Sequence, residues 1–345
     1  MAVRKKVLQG SAANAARMIL RGLLNDWVRA RRAVLHPGNA DSVHDFRVAL
    51  RRLRSILRAF RPVLPLPKGL RRRLRRLARA TDESRNLEIW QAWVGEHANQ
   101  LTAGQRAGVH WLQAGLRTRR QGTDARMRSQ IATWFNRARA ELRKVAAGRG
   151  PKARAQNATV LVQRTLRTGA TVLARHLGQI SSMRDREAIH EARIAAKRLR
   201  YLLEEIKEEL PEAGGILVKL EKLQGTLGEV HDAQVFADLL RPALIETGER
   251  RARMVTKKLL PWPPAGGPTD PAAPPGVRQG LLALARRLRQ HGDARFEQLK
   301  AEWLEGQSAE LVVRLGQLSI HSTTESGRPD LNRRLPAPKA GALPD

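Results

Sequence analysis

The sequence contains no cysteine among its 345 residues. This absence excludes disulfide scaffolds, thiolate metal sites and cysteine nucleophiles. No stretch approaches the 18 or so consecutive apolar residues that a transmembrane helix needs. Arg17 and Arg21 interrupt the segment near the N-terminus where a secretory signal would have its apolar core. We therefore expect a protein without a membrane span, located in the cytoplasm.

The sequence also lacks the motifs of common catalytic sites. It has no His-Glu-x-x-His motif and no Gly-rich phosphate-binding loop with its lysine. It has no Glu-x-Glu pair of the kind on which a β-barrel triphosphatase holds its metal. His231 and Asp232 are adjacent, but such a lone pair is more typical of a local hydrogen bond than of a metal site. We therefore expect no enzymatic activity, no metal and no cofactor.

Negative charge is scarce in the chain. There are 64 basic and 32 acidic residues, and 51 of the basic residues are arginine. Residues 1–150 alone hold 33 basic and 9 acidic residues. A general preference for arginine over lysine explains part of the arginine excess, but not its concentration in one half. Such an excess destabilises a compact chain unless an anion offsets it, and the planar guanidinium suits phosphate oxygens. The charge indicates nucleic acid, an acidic membrane face or another polyanion as partner.

Helix-forming residues dominate the composition, and apolar residues recur at helical spacing, as at Phe46, Leu50 and Leu53. The pattern predicts an all-α protein. The predicted helices span residues 11–34, 42–61, 69–98, 102–118, 123–147, 155–177, 185–210, 215–240, 242–259 and 279–305. The Pro/Gly-rich residues 261–276 are predicted to form an exposed loop, and residues 316–345 a disordered tail.

An internal repeat divides the chain. Residues 43–54 match residues 189–200 at an offset of 146, and the next predicted helix continues the match without a gap. In that helix Arg73 aligns with Lys219, Arg76 with Lys222, and Arg85 with His231. The repeat predicts two tandem helical bundles, residues 1–150 and 151–315.

Basic residues form a ridge along one side of the helix over residues 42–61. At 100° per residue the ridge occupies an arc of about 80°, next to the apolar arc that must face the core. Its residues are His44, Arg47, Arg51, Arg54 and Arg58. The second copy keeps His190, Arg193, Lys197 and Arg200, and ends in Glu204. A solvated charged face is the simpler interpretation, but it does not require the same ridge twice with a histidine at one fixed place. Cations about 5 Å apart per turn could follow a chain of phosphates.

The histidines at the start of each ridge predict a pH response. Neighbouring cations disfavour protonation of His44 and His190, and a bound polyanion favours it. Binding is therefore expected to tighten as the pH falls from about 8 to 6, around the ordinary histidine pKa.

Nucleic acid is the main alternative ligand. Net charge alone would support it, and nonspecific contact with DNA or RNA through phosphates is expected. Aromatic residues make up only 4% of the chain, with a single tyrosine, which argues against stacking platforms for single strands.

The two copies of His-x-x-Arg-x-x-x-[Arg/Lys]-Arg-Leu-Arg, each followed by a basic Leu-rich helix ending in Arg-Asn or His-Asp, closely resemble the CHAD family, named for a conserved histidine α-helical domain. The resemblance covers roughly residues 11–310. It implies two four-helix-type bundles related by a pseudo-two-fold axis, with a basic channel between them. It also implies binding of inorganic polyphosphate and association with polyphosphate granules in bacteria that make them.

The resemblance further implies which residues contact polyphosphate. They are His44, Arg47, Arg51, Arg52, Arg54, Arg73, Arg76, Arg85, His190, Arg193, Lys197, Arg198, Arg200, Tyr201, Lys219 and Lys222. The basic ridge adds Arg58 to the predicted site, and the repeat adds His231, the counterpart of Arg85. The two copies differ at two positions of the pattern. Ser55 stands where the second copy has Tyr201, and Asn86 stands where it has Asp232. The oligomeric state stays open, and a polyphosphate hydrolase with an unrecognised site is the weakest alternative.

Overall fold

The computed structural model describes residues 7–35, 42–148, 156–259 and 276–318. The secondary structure in these ranges is helical, apart from one isolated backbone pairing between Ser11 and Asn157. The predicted all-α class is therefore confirmed. The predicted loop 261–276 lies outside the described residues except for Gly276, and so does the predicted tail 316–345 from residue 319 onward.

The predicted helices form with small shifts at their ends. The α-helices, numbered in chain order, are α1 (Ala12–Leu35), α2 (Ser42–Ala59), α3 (Leu70–Ala98), α4 (Ala103–Ala146), α5 (Ala158–Leu177), α6 (Arg186–Ile206), α7 (Ala213–Leu259), α8 (Val277–Leu299) and α9 (Ser308–Gln317). A 3₁₀ turn at Lys207–Glu209 ends α6, and a π-helical segment at Lys300–Gln307 joins α8 to α9.

The predicted break between residues 118 and 123 is wrong, because α4 is one continuous helix. Its buried positions continue through the expected gap, from Leu116 to Thr123 and Met127. Arg119 in the gap donates from Nε to Glu83 of α3 over 3.0 Å. Packing along the whole length therefore overrides the weak helix propensity of Gly122.

The predicted break at Pro242 is also wrong, because α7 runs through this proline. A proline inside a helix removes one hydrogen bond and costs about 3 kcal/mol. Buried Phe236 and Leu240 precede it, and Leu244 packs against the same core after it. Packing on both sides offsets the cost, so the helix continues.

Two hydrophobic clusters hold the helices together. The larger one joins α1, α2 and the second half of α4 to α5, α6 and the start of α7. The smaller one joins the second half of α3 and the first half of α4 to the middle of α7 and to α8. The long helices α4 and α7 take part in both clusters, so each cluster contains residues from both sequence repeats. The domain boundary at residue 150 and the pseudo-two-fold symmetry stay predictions.

Within the described residues, no helix is both long and apolar enough to cross a membrane. This agrees with the short apolar runs of the sequence.

Helices α4 and α8 approach closely at glycines. A Cβ on Gly108 would lie 2.5 Å from the carbonyl oxygen of Val277 and 2.7 Å from Cα of Gly280. These are backbone atoms that cannot move without shifting a helix. Glycine at this position therefore sets the distance between the two helices.

We predict that Gly108→Ala destabilises the protein by about 1–3 kcal/mol, as overpacking does in other cores. Gly115→Ala is the matched control on the same helix, because a Cβ there meets no atom within 4 Å. It should be neutral or stabilising by up to about 1 kcal/mol, the helix preference for alanine. Urea unfolding measures both. Equal effects of the two substitutions would contradict the close approach.

Candidate cation site between two helices

The basic ridges of α2 and α6 meet where these two helices pack against each other. We call five of their residues the cationic cluster: Arg47, Arg51, Arg54, Arg193 and Lys197. Burial lowers the pKa of Arg47, Arg54, Arg193 and Lys197, and repulsion from Arg51 lowers each of these pKa values further. Arg51 therefore lies at the centre of the cluster.

Arg47 is the most buried arginine of the cluster, with a side chain only 7% exposed. Its Nη1 donates to Thr81 Oγ1 over 3.0 Å and to Asp82 Oδ1 over 2.8 Å, both on α3. Burial and then repulsion from Arg51 lower its pKa to about 10, although Asp82 acts in the opposite direction. One carboxylate thus compensates only part of the cost of burying this charge.

Arg193 occupies the equivalent position on α6. Its Nη2 lies 3.6 Å from Asp232 Oδ1 of α7, and its Nε is buried with no hydrogen-bond partner among the described residues. A Cβ on Gly228 would lie 3.5 Å from that Nε, so the α7 backbone packs closely beside the guanidinium. Burial lowers the pKa of Arg193, and Asp232 opposes the shift.

The two repeats supply their acids from different helical turns. At the offset of 146, Asp232 aligns with Asn86, but the acid that binds Arg47 is Asp82, one turn earlier. The position equivalent to Asp82 is Gly228. Sequence reasoning missed Asp82 because it compared only aligned positions. The available signal was an acidic residue one turn before Asn86 in a basic helix.

Lys197 is the most strongly perturbed base of the cluster. Burial first, and then repulsion from Arg193 and Arg51, lower its pKa to about 6. Within the described residues no carboxylate lies within 4 Å of its Nζ. The amine is therefore mostly neutral at pH 7 in the ligand-free protein.

Arginines continue the cluster at the C-terminal end of α2. Burial, followed by repulsion from Arg58, lowers the pKa of Arg198 to about 10. A cavity of about 280 Å³ opens beside these residues. Its basic lining residues are Arg54, Arg58, Arg61, Arg71 and Arg75. Arg61, Arg71 and Arg75 were not among the predicted site residues.

Arg52 of α2 has an ion-pair network that its counterpart in the second repeat lacks among the described residues. Arg52 donates from Nε and Nη2 to Glu205 over 3.0 and 2.6 Å, and Glu204 lies 3.8 Å away. At the offset of 146, Arg52 corresponds to Arg198, and Glu204 to Arg58. The first arginine therefore faces acids, whereas its counterpart faces a base. Acids therefore border the cationic cluster beside Arg52, whereas basic residues continue it beside Arg198.

The predicted histidines occupy three different environments. His44 is exposed on α2. The rings of His190 and His231 lie 4.9 Å apart, and desolvation lowers the pKa of His190. His231 has a buried Nδ1 without a hydrogen-bond partner among the described residues. Burial and repulsion from Arg193 lower its pKa to about 3, so this ring is neutral near pH 7.

Several predicted site residues lie outside the cationic cluster and contact other groups. Arg73 is paired with Glu141 of α4, Lys219 with Glu310 of α9, Arg85 with Glu88, and Arg200 with Glu204 and Glu221. Arg76 stacks over Trp134 at 4.7 Å, Arg200 over the ring of buried Tyr201 at 5.0 Å, and Lys222 is exposed. Their contribution to binding stays a prediction.

The chemistry of the cluster is that of an anion site. Guanidinium and ammonium groups donate hydrogen bonds to phosphate or carboxylate oxygens. Across the described ranges, no three His, Asp or Glu side chains converge as a metal ion would require. The arrangement can bind anions through its four arginines, and through Lys197 when this amine is protonated.

Comparisons with known proteins agree with this architecture. The family model of the CHAD domain matches residues 18–241. The crystal structure of the CHAD domain from the plant Ricinus communis has a TM-score of 0.61 at 18% identity, covering 93% of this chain and 96% of that one. PptA from Streptomyces chartreusis has a TM-score of 0.61 at 16% identity, covering 85% of this chain and 100% of that one. No curated protein matches the chain. At these identities the two structures show a shared fold.

The lowered pKa of Lys197 predicts how stability depends on pH. The unfolded chain keeps its Lys197 proton up to the ordinary pKa of 10.5, whereas the folded, ligand-free chain releases it near 6. The unfolded state therefore binds more protons between these values, and stability should rise with pH across this window. Lys197→Met removes this titration, so the variant should be more stable at pH 7 and its stability should rise less.

Urea midpoints between pH 6 and 10 measure this difference. Lys222→Met is the matched control, because it removes an exposed lysine from α7. Parallel curves for the wild type and Lys197→Met would contradict the strained environment of Lys197.

Proposed function

Because the chain belongs to the CHAD family, we propose that it binds inorganic polyphosphate, with the cationic cluster as the central contact. The observation that carries this proposal is the burial of four arginines and Lys197 between α2 and α6 beside only two carboxylates, Asp82 and Asp232. Arg51 and Lys197 have no carboxylate within 4 Å among the described residues. A polyanion supplies the negative charge that the fold leaves out.

Polyphosphate fits this deficit in shape as well as in charge. Arg47, Arg51 and Arg54 lie on successive turns of α2, about 5 Å apart along the axis. A linear chain of phosphates can contact one guanidinium after another, each through two parallel hydrogen bonds. Partial burial strengthens each contact, because the effective dielectric constant is lower there than in water.

The open side of the cluster gives the chain a continuous path. Arg58 and Arg198 follow the cluster, and the small cavity with its five arginines adjoins them. The opposite side ends at Arg52, whose guanidinium is already bound by Glu205. Polyphosphate therefore extends from Arg51 toward Arg58, and Arg52 supports the packing of α2 on α6.

Binding is coupled to protonation at Lys197. Phosphates beside its Nζ favour the ammonium form and raise its pKa toward the ordinary value. The groups around this amine are Arg47 and Arg51 of α2, Arg193 of its own helix, and Asp232 of α7. A proton is therefore taken up when the ligand binds near neutral pH. We therefore propose that Lys197 contributes to the pH dependence of polyphosphate binding, in addition to the predicted His44 and His190.

The proposed role is binding without catalysis or a cofactor, in the cytoplasm and at the surface of polyphosphate granules. The cationic cluster supplies hydrogen-bond donors and positive charge, which hold a phosphate chain. Once the bound phosphates have protonated the Lys197 amine, this amine has no free electron pair with which to attack the chain.

Nonspecific nucleic-acid binding is the second candidate function. The observation that favours it is a set of exposed arginines on α3: Arg71, Arg72, Arg75, Arg76 and Arg79. These side chains could contact the phosphates of a duplex, whose width keeps it from the partly buried cluster. The two functions therefore depend on different residues.

We predict that Arg51→Gln/Lys197→Gln weakens binding of long-chain polyphosphate at least tenfold more than a control that removes the same number of basic side chains. Each lost charge-assisted contact costs about 1.5–3 kcal/mol. The control is Arg117→Gln/Arg128→Gln. Both arginines are exposed on α4, and neither forms an ion pair with a described residue. Titration calorimetry at fixed salt measures both, with circular dichroism to verify folding.

Duplex DNA is the comparison ligand in the same experiment. If binding depends only on the overall positive charge of the protein, the two double variants lose equal affinity for polyphosphate and equal affinity for DNA. Equal losses of polyphosphate affinity in two well-folded variants would therefore remove the cluster as the site and favour nucleic acid.

A further inference from the structure

A second cavity, distinct from the small basic one, opens between α2, α5 and α6. Its volume is about 610 Å³, within the range of small-molecule sites. Its basic lining residues are Arg58, Arg61, Arg164 and Arg198. Three of them are exposed, and Arg198 is half-buried. The cavity is open to solvent and thus presents several guanidinium groups around one cleft.

The remaining wall of this cavity is largely apolar. Leu161, Leu199 and Leu202 line it and are buried, with relative exposures of 2–3%. No aromatic residue is among its described lining residues, so a nucleobase would have no ring to stack on. A fully hydrated inorganic polyanion gains nothing from such a wall, whereas a hydrocarbon chain does.

The positive charge of this cavity has no acidic partner among its described lining residues. Within 4 Å of Arg58, Arg61 or Arg164 there is no carboxylate in the described part of the chain. Burial first, and then repulsion from Arg58, lower the pKa of Arg198 to about 10, although Glu191 opposes the shift. An anion in the cavity would relieve this repulsion.

The first repeat provides an internal comparison. A cavity of about 430 Å³ lies between α1 and α2. At the offset of 146, its residues Asp26, Ala49 and Arg52 correspond to Val172, Ala195 and Arg198 of the larger cavity. The smaller cavity also contains Asp45, and Glu205 already binds its Arg52. One cavity is therefore charge-balanced, and its counterpart holds only cations.

We propose that the 610 Å³ cavity binds a single-chain amphipathic anion, a hydrocarbon chain that carries a phosphate or carboxylate head. The head contacts the arginines and the chain packs on the leucine wall. This site does not depend on the proposed polyphosphate function, although Arg58 and Arg198 adjoin both sites. Arg164 and Thr168 line this cavity and lie outside the cationic cluster.

Decyl phosphate, kept below its micelle-forming concentration, is the probe for a calorimetric titration. It should bind at least tenfold more tightly than either decanol or inorganic phosphate, because only decyl phosphate engages both walls. Thr168→Trp places a ring in the cavity from an exposed position on α5 and should weaken decyl phosphate binding at least tenfold. Long-chain polyphosphate binding should be unchanged in this variant.

Ala33→Trp, which fills the charge-balanced cavity, is the matched control and should leave decyl phosphate binding unchanged. Arg164→Gln alters only an exposed side chain and tests the head-group contact if Thr168→Trp fails to fold. It should weaken decyl phosphate binding several-fold. Equal affinity for decyl phosphate and inorganic phosphate would overturn the proposal. Unchanged decyl phosphate binding in both Thr168→Trp and Arg164→Gln would also overturn it. A separate titration of the wild-type protein with polyphosphate tests the proposed function. If polyphosphate binds while decyl phosphate does not, only the proposal for this cavity fails.

Discussion

The structure depends on positive charge that is buried with too little negative charge beside it. Between α2 and α6, desolvation lowers the pKa of Arg47 to about 10 and that of Lys197 to about 6. Removing a cation from water is unfavourable unless a counter-charge replaces the lost hydration. The fold supplies Asp82 and Asp232 for this purpose, which is enough to position two arginines but not to balance the whole cluster. In the proposed function a bound polyanion completes the compensation, so that ligand binding and the stability of the helix pair are two effects of the same electrostatic deficit.

The distribution of the acids gives the site its direction. Asp82 and Asp232 each orient one arginine within the cluster, whereas Glu204 and Glu205 bind Arg52 at its margin. Around Arg198, Glu191 opposes the lowering of the pKa, but no carboxylate in the described residues lies within 4 Å of this arginine. The two copies thus carry nearly the same basic ridge but differ in the acids around it. Glu204 stands where the first copy has Arg58, and Asp26 stands where the second copy has Val172.

Helix content and the two ridges could be predicted from the sequence, because both depend on spacing along single helices. The continuity of α4 and α7 could not, since burial on both sides of Gly122 and Pro242 overrides local propensity. The partners of Arg73 and Lys219 are Glu141 and Glu310, which are distant in the sequence and invisible on a helical wheel. Asp82 was missed for a different reason. An acid one turn away can reach the same arginine, so alignment of the repeats does not identify it.

Proton uptake on binding tests the central claim most directly. Titration calorimetry of long-chain polyphosphate at pH 7.4, in buffers with different ionisation enthalpies, measures the number of protons taken up per binding event. The account predicts uptake approaching one proton at Lys197, because the ligand restores the charge that burial removes. In Lys197→Arg the cation is retained without a titration near neutral pH, so the protein should bind polyphosphate with little of this uptake. No uptake in the wild type, or equal uptake in both proteins, would contradict binding at the buried cluster.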